Sequence, residues 1–241
     1  MSENTLSQYG FATGAARRSP RIAVVIPSYR VRTHILEVLR RIGPEVTTVY
    51  VVDDKCPDAS GEYVREHCAD PRVTVVFNAH NEGVGGATLA GFARAAEDGA
   101  DVIVKIDGDG QMDPGLLPRF VAPILAGRAD FTKGNRFYNP EDVIAMPPVR
   151  LLGNAALSFM SKLSTGYWHV FDPTNGYLAI DARVFALLPR HKIARRYFFE
   201  TDLLFRLNTI RAVVQDIPMA AVYGDEVSNL HIRREVGRFF A

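Results

Sequence analysis

Two carboxylates stand two residues apart in Val102-Ile-Val-Lys-Ile-Asp-Gly-Asp-Gly-Gln111. The apolar run before them, rich in β-branched residues, reads as a buried strand. Asp107 and Asp109 therefore fall at a strand tip. Gly108 and Gly110 let the backbone turn sharply and approach a ligand closely. Two carboxylates and the amide oxygen of Gln111, converging on one point, are hard donors suited to Mg2+ or Mn2+. A cation held that way grips a diphosphate and neutralises charge on a leaving group. The competing reading is an acidic surface turn, and context must separate the two.

Four further stretches carry side chains capable of chemistry. Asp53-Asp54 ends an apolar run; an acid there accepts hydrogen bonds from a base N–H or a ribose hydroxyl, or else caps a helix. Lys133-Gly-Asn-Arg136 ends another run, and an arginine there grips phosphate bidentately unless it is a plain surface residue. Glu200-Thr-Asp202 follows Tyr197-Phe-Phe. A carboxylate among aromatics has the setting of a base with a raised pKa, or lies on the polar side of an amphipathic helix. Gly83-Val-Gly-Gly-Ala-Thr88 opens a helix after a strand, but Thr88 breaks G-x-G-x-x-G and no Gly-Lys-Ser/Thr follows. The glycines serve close packing or the approach of a phosphate.

The elements that must position these groups alternate. Strands are expected at 21–27, 47–52, 73–77, 102–106 and 130–133, and helices at 31–42, 58–68, 85–97 and 114–126. An amphipathic stretch follows at 147–165, then a loop at 172 entering a strand that runs to 180, a helix at 197–210 and a last strand at 212–217. Such alternation implies an α/β fold, a mostly parallel sheet flanked by helices. Ligands in these sheets collect at the carboxyl ends of the strands. Pro27, Asp53, Asn78 and Asp107 all fall there, which favours function for the acidic turns.

The bulk numbers fit that reading. A chain of 241 residues, 47% hydrophobic and 23% charged, is ordinary globular material. A net charge of +1 provides no global field for nucleic acid. Cys56 and Cys68 have no zinc spacing and fit a reduced, cytosolic protein. No apolar run reaches the ~20 residues of a membrane span. Residues 1–20 read as a flexible tail, 21–220 as one domain, and 221–241 as a second tail, whose mix of arginine with phenylalanine suits either an acidic membrane surface or a solvated end.

Taken in order, Val25-Ile-Pro-Ser-Tyr29, Val51-Val-Asp-Asp54, Asn81-Glu-Gly-Val-Gly-Gly86, Ile106-Asp-Gly-Asp-Gly-Gln111, Gly134-Asn-Arg-Phe137 and Asp172-Pro-Thr-Asn-Gly-Tyr177 resemble the family 2 glycosyltransferases with the GT-A fold. Within them the chain is most similar to polyprenyl-phosphate sugar transferases of the dolichyl-phosphate mannose synthase type, over about residues 22–218. The resemblance implies that Pro27, Tyr29 and Asp53 surround the nucleoside and that Asn81 and Gly86 border the nucleotide. It also implies that Asp107, Asp109 and Gln111 hold Mg2+ or Mn2+ with the diphosphate, and that Arg136 meets a phosphate. The family pattern has basic residues where this chain has Gly85 and where it has Leu178-Ala179.

The expectation is an inverting, metal-dependent transfer from a GDP- or UDP-sugar to a polyprenyl phosphate. The work is placed at the cytoplasmic face of the membrane, with peripheral membrane contact. A phosphate nucleophile is already anionic and needs little help from a base. The nearest alternative is a sugar hydroxyl of a glycan acceptor, which requires Asp202 or Glu200 as base. More distant are a sugar-phosphate nucleotidyltransferase, whose Gly-rich basic first loop Pro27-Ser-Tyr-Arg30 lacks, and a non-catalytic nucleotide-sugar binding module.

Overall fold

Seven short segments form strands, and the central ones bury both faces. The computed structural model describes residues 18–138 and 148–220. The expected tails lie outside these residues up to position 17 and throughout 221–241. The strands are β1 (Ile22–Ser28), β2 (Thr48–Asp53), β3 (Val73–Phe77), β4 (Val102–Lys105), β5 (Phe131–Asn135), β6 (Leu178–Asp181) and β7 (Val214–Pro218). They form one sheet in the order β3-β2-β1-β4-β6-β5-β7. β6 alone runs antiparallel, paired with β4 on one side and β5 on the other. The edge strands β3 and β7 are partly exposed, whereas β4, β5 and β6 are buried throughout.

Alternation along the strands assigns the two faces. Ala23, Val25, Val52, Ile103 and Ile180 point to one core, shared with α3 (Gly83–Glu97), α6 (Ala182–Leu187) and α7 (Phe199–Thr209). Val24, Ile26, Val51, Val104 and Ala179 point to the other, covered by α1 (Ile35–Arg40), α2 (Ser60–His67) and α4 (Leu117–Leu125). The remaining helix, α5 (Pro148–Thr165), packs along α7 and not on the sheet. The α/β architecture expected from the sequence is the one observed.

Differences are local. The first helix is shorter than 31–42: His34 and Ile35 both donate to the Val31 carbonyl, and the regular helix begins only at Ile35. Position 114 opens a 3-10 turn, Pro114–Leu116, in which Asp113 accepts from the Gly115 N–H, and the α-helix follows. Helix α6 has no counterpart in the expected elements. It is one and a half turns long, too short for a periodic signal, and starts on the Asp181 side chain, which accepts from Arg183 N–H at 2.8 Å.

The core between α4 and the sheet turns on one aromatic pair. Phe120 stacks on Tyr177 with centroids 4.0 Å apart and both residues fully buried. Tyr177 immediately precedes β6, so this stack fixes where the reversed strand starts. Phe120→Ala is expected to lower unfolding free energy by about 3–5 kcal/mol, the range for emptying a buried aromatic site. Urea denaturation at unchanged m-value checks it; a loss under ~1 kcal/mol would show that α4 is not anchored here.

Candidate active site

Strand register brings two lysines to the same place. Lys105 ends β4 and Lys133 lies in β5, and both pair across the sheet with Leu178, the first residue of β6. Both are fully buried. Lys105 Nζ donates to Asp107 Oδ1 at 2.6 Å and to the Gly176 carbonyl at 3.2 Å. Lys133 Nζ donates to the carbonyl of Asn175, the neighbouring residue. Two ammonium groups from flanking strands thus hold consecutive carbonyls of the loop that enters β6. Glu200, near the start of α7, lies 3.7 Å from Lys105 Nζ.

Charge balance decides the protonation of this group. Burial pulls Lys105 down, but Asp107, Glu200 and Asp109 together outweigh it and hold its pKa above the ordinary lysine value. Burial also dominates at Lys133; Glu200 and Asp172 oppose it, and the pKa falls to about 8. Glu200 is raised by burial, with Lys105 and Lys133 pulling it back.

The same loop fixes Arg136. Asp172, with a side chain only 1% exposed, accepts from Arg136 Nε at 2.7 Å and Nη2 at 3.0 Å. Asn175 Nδ2 donates to Asp172 Oδ2 at 3.2 Å, and the Tyr177 N–H donates to Asn175 Oδ1 at 2.9 Å. A side chain at position 176 has no room: a Cβ there would overlap the Asp107 carboxylate and stand 2.7 Å from Lys105 Nζ. Asp107, Arg136 and Glu200 are therefore linked through one loop and two lysines.

Asp109 and Gln111 continue the turn, with the Gln111 N–H donating to Asp109 Oδ1 at 3.0 Å and Gly110 at φ +82°. Asp107, Asp109 and Gln111 are all partly exposed, whereas the lysines behind them are not. Among the described residues no three His, Cys, Asp or Glu side chains converge as a metal-holding group. The turn offers two carboxylates and a carboxamide, hard donors that fit Mg2+ or Mn2+ and leave coordination positions for a ligand's oxygens.

The residues expected to border a nucleotide lie at the adjoining strand ends. Ser28 pairs with Asp53, which brings Pro27 and Tyr29 beside it. The Asp53 carboxylate accepts from the N–H groups of Cys56 and Gly61, each at 2.8 Å, and so also caps the turn into α2. Asp54 accepts from Glu82 and Gly83 N–H at the start of α3, and Asn81 Nδ2 donates to its carbonyl. The Gly86 N–H donates to the Arg195 carbonyl at 2.9 Å, and a Cβ on Gly85 would stand 2.7 Å from the Ala194 carbonyl and Phe199. The glycine run thus packs α3 against the segment before α7.

Asp202 is directed elsewhere. It accepts from Ala194 N–H at 2.7 Å and from Arg206 Nε at 3.2 Å, which ties α7 to the segment before it. Of the two acids expected as bases, the structure brings Glu200 to the lysine cluster. Sequence reasoning missed Lys105 and the part played by Lys133. The signal was a lysine inside an otherwise apolar strand, in Val-Ile-Val-Lys-Ile and Phe-Thr-Lys-Gly-Asn.

Lys133 makes stability depend on pH. With a folded pKa of about 8 and an unfolded value near ~10.4, the unfolded chain binds more protons between those limits, so this group's contribution to stability rises with pH. Lys133→Met removes that rise. Denaturation at about pH 7.5 and about pH 9.5 is expected to show the unaltered chain gaining on the variant at the higher pH. A constant or narrowing gap would contradict the assignment.

Comparison with known proteins gives the family of this fold. The model of Glycosyl transferase family 2 matches residues 23–188. The chain is 27% identical over 216 residues to a UDP-N-acetylglucosamine–dolichyl-phosphate N-acetylglucosaminyltransferase of Methanococcus voltae, covering 84% of this chain and 86% of the relative. It is 30% identical over 206 residues to an undecaprenyl-phosphate mannosyltransferase of Micrococcus luteus, covering 84% of each. Its fold is similar to that of glucosyl-3-phosphoglycerate synthase from Mycobacterium tuberculosis, solved with Mn2+, UDP and phosphoglyceric acid (TM-score 0.63, 19% identity, covering 90% of this chain and 74% of that one). With a family match that spans more than half of its length and most of its sheet, this chain is a glycosyltransferase of family 2.

Proposed function

We propose that the chain transfers a sugar from a GDP- or UDP-sugar to a polyprenyl phosphate, with inversion at the anomeric carbon, at the cytoplasmic face of a membrane. One observation carries this reading: Asp107, Arg136 and Glu200 are tied into one cluster at the carboxyl edge, beside strand ends suited to a nucleoside. Two relatives matched over 84% of the chain bear the names of polyprenyl-phosphate sugar transferases, which supports the acceptor.

In this reading Tyr29, 44% exposed, offers a ring for the base, while Pro27, Asp53, Asn81 and Gly86 border the nucleoside. Asp107, Asp109 and Gln111 hold Mg2+ or Mn2+ together with the diphosphate. The cation, when bound, neutralises charge on the departing diphosphate. Lys105 keeps the Asp107 carboxylate oriented and adds positive charge behind it. Arg136, aligned by Asp172, meets the acceptor phosphate. A phosphate oxygen attacks C1 of the sugar as the bond from C1 to the diphosphate breaks. The nucleophile carries no proton that must be removed first.

A second reading is favoured by the raised pKa of Glu200: a sugar hydroxyl as acceptor, with Glu200 as its base. Asp202, engaged by Ala194 and Arg206, is then a structural acid.

Asp109→Ala is expected to abolish turnover with the fold intact, and EDTA to silence the unaltered enzyme until Mg2+ or Mn2+ is added back. Full activity of either in EDTA would remove the metal from the reaction. Arg136→Ala is expected to lower kcat/KM for a polyprenyl phosphate by about 100-fold, the loss of roughly 3 kcal/mol of charge-assisted binding. Asp202→Asn is expected to stay within about tenfold, below the usual range for loss of a general base. Arg136→Ala nearly normal on purified acceptor would favour a hydroxyl nucleophile, and a loss of about 100-fold or more in Asp202→Asn would make Asp202, not Glu200, its base.

A further inference from the structure

The chain carries an apolar surface that neither the sheet nor the site uses. Phe159 and Leu163 stand one turn apart on α5, with Met160 between them, and Trp168 and Phe171 follow on the loop after it. These five side chains are 51–58% exposed. They form one patch: Phe159 meets Trp168 edge to face with centroids 6.4 Å apart, and Lys162 Nζ lies 3.6 Å from the Phe171 ring centroid. The loop is fastened to the helix by Ser158 Oγ, which donates to the Phe171 carbonyl at 3.0 Å.

Charge singles out the occupant. From Asp142 to Asp172 the sequence contains no acidic residue between those two, and it carries Arg150 and Lys162. A surface of Trp, Phe, Leu and Met that carries the Lys162 ammonium over its Phe171 ring matches the interface of an anionic bilayer, where aromatic rings sit at headgroup level. No helix of the described residues is long and apolar enough to cross a membrane. Position gives the second argument. Phe171 directly precedes Asp172, the acid that aligns Arg136. A bilayer on this patch therefore lies at the chain's approach to the acceptor side of the cluster.

The geometry points to Phe159, Met160, Leu163, Trp168 and Phe171, with Lys162, as the face on which the enzyme docks to an anionic lipid bilayer. The inference rests on the polyprenyl-phosphate reading for the benefit of such docking: it brings the site to an acceptor anchored in the membrane.

Trp168 is the only tryptophan of the chain, so it reports on the patch directly. The full chain is mixed at low salt with phosphatidylcholine vesicles, with and without phosphatidylglycerol, containing brominated lipid. Trp168 emission is expected to shift to the blue and be quenched, more on the anionic vesicles, with the difference fading at high salt. In flotation, a Phe159→Gln, Leu163→Gln, Trp168→Gln variant of unchanged Tm is expected to partition at least about tenfold less, because its inserted apolar area is gone. Protein that floats with Trp168 unquenched would overturn the proposal, as would a variant that floats like the unaltered chain. A dimer in light scattering that the variant converts to monomer would also overturn it, giving the face to a second copy. Transfer to a short water-soluble prenyl phosphate, without vesicles, tests the acceptor reading separately. Its absence would sink that reading while Trp168 still reports docking.

Discussion

Lys105 and Lys133 reach from the strands on either side of β6 to adjacent carbonyl groups, and the position of the entering loop follows from that contact. Burying two ammonium groups costs several kcal/mol each unless acids and carbonyls compensate them. Compensation comes from Asp107, Glu200 and the two loop carbonyls, which obliges α7, the acidic turn and the loop to meet at one point. Removing one member leaves the others charged and dry. The cluster is therefore poor as a source of stability and strong as a device that permits only one arrangement.

The reversed direction of β6 is part of the same logic. A parallel strand would bring its following loop to the carboxyl edge. Between β4 and β5, an antiparallel strand brings its preceding loop there instead, and with it Asp172, Asn175 and Gly176. The ends of β1 and β2 adjoin this cluster, and there Asp53 and Asp54 accept from the backbone of the following turn and helix. One acidic pair thus shapes two loops.

Much of this was legible in the chain itself. The alternating elements and the placement of Asp53 and Asp107 at strand ends follow from apolar periodicity, which burial on both sheet faces enforces. Direction was not legible, since Leu178-Ala-Ile-Asp181 reads the same whether it runs with or against its neighbours. Partnership was not legible either. Nothing in Glu200-Thr-Asp202 says which acid turns toward the lysines, because both lie in the first turn of α7 and only packing against residues 194–195 separates them. The glycine run at 83–86 offered two uses; the structure shows the packing one, with Ala194 and Arg195 filling the space that side chains would need.

The pairing of Arg136 with Asp172 also closes a circuit in the chain. These two residues stand at the exit from β5 and on the approach to β6, so one ion pair holds together the two ends of the segment between them. The entropy of closing such a loop grows only slowly with its length. Changes in its length that spare the packing on α7 and the buried Tyr167 and Val170 are thus thermodynamically inexpensive so long as that pair survives. The segment can then vary in length while the sheet and the lysine cluster keep their positions.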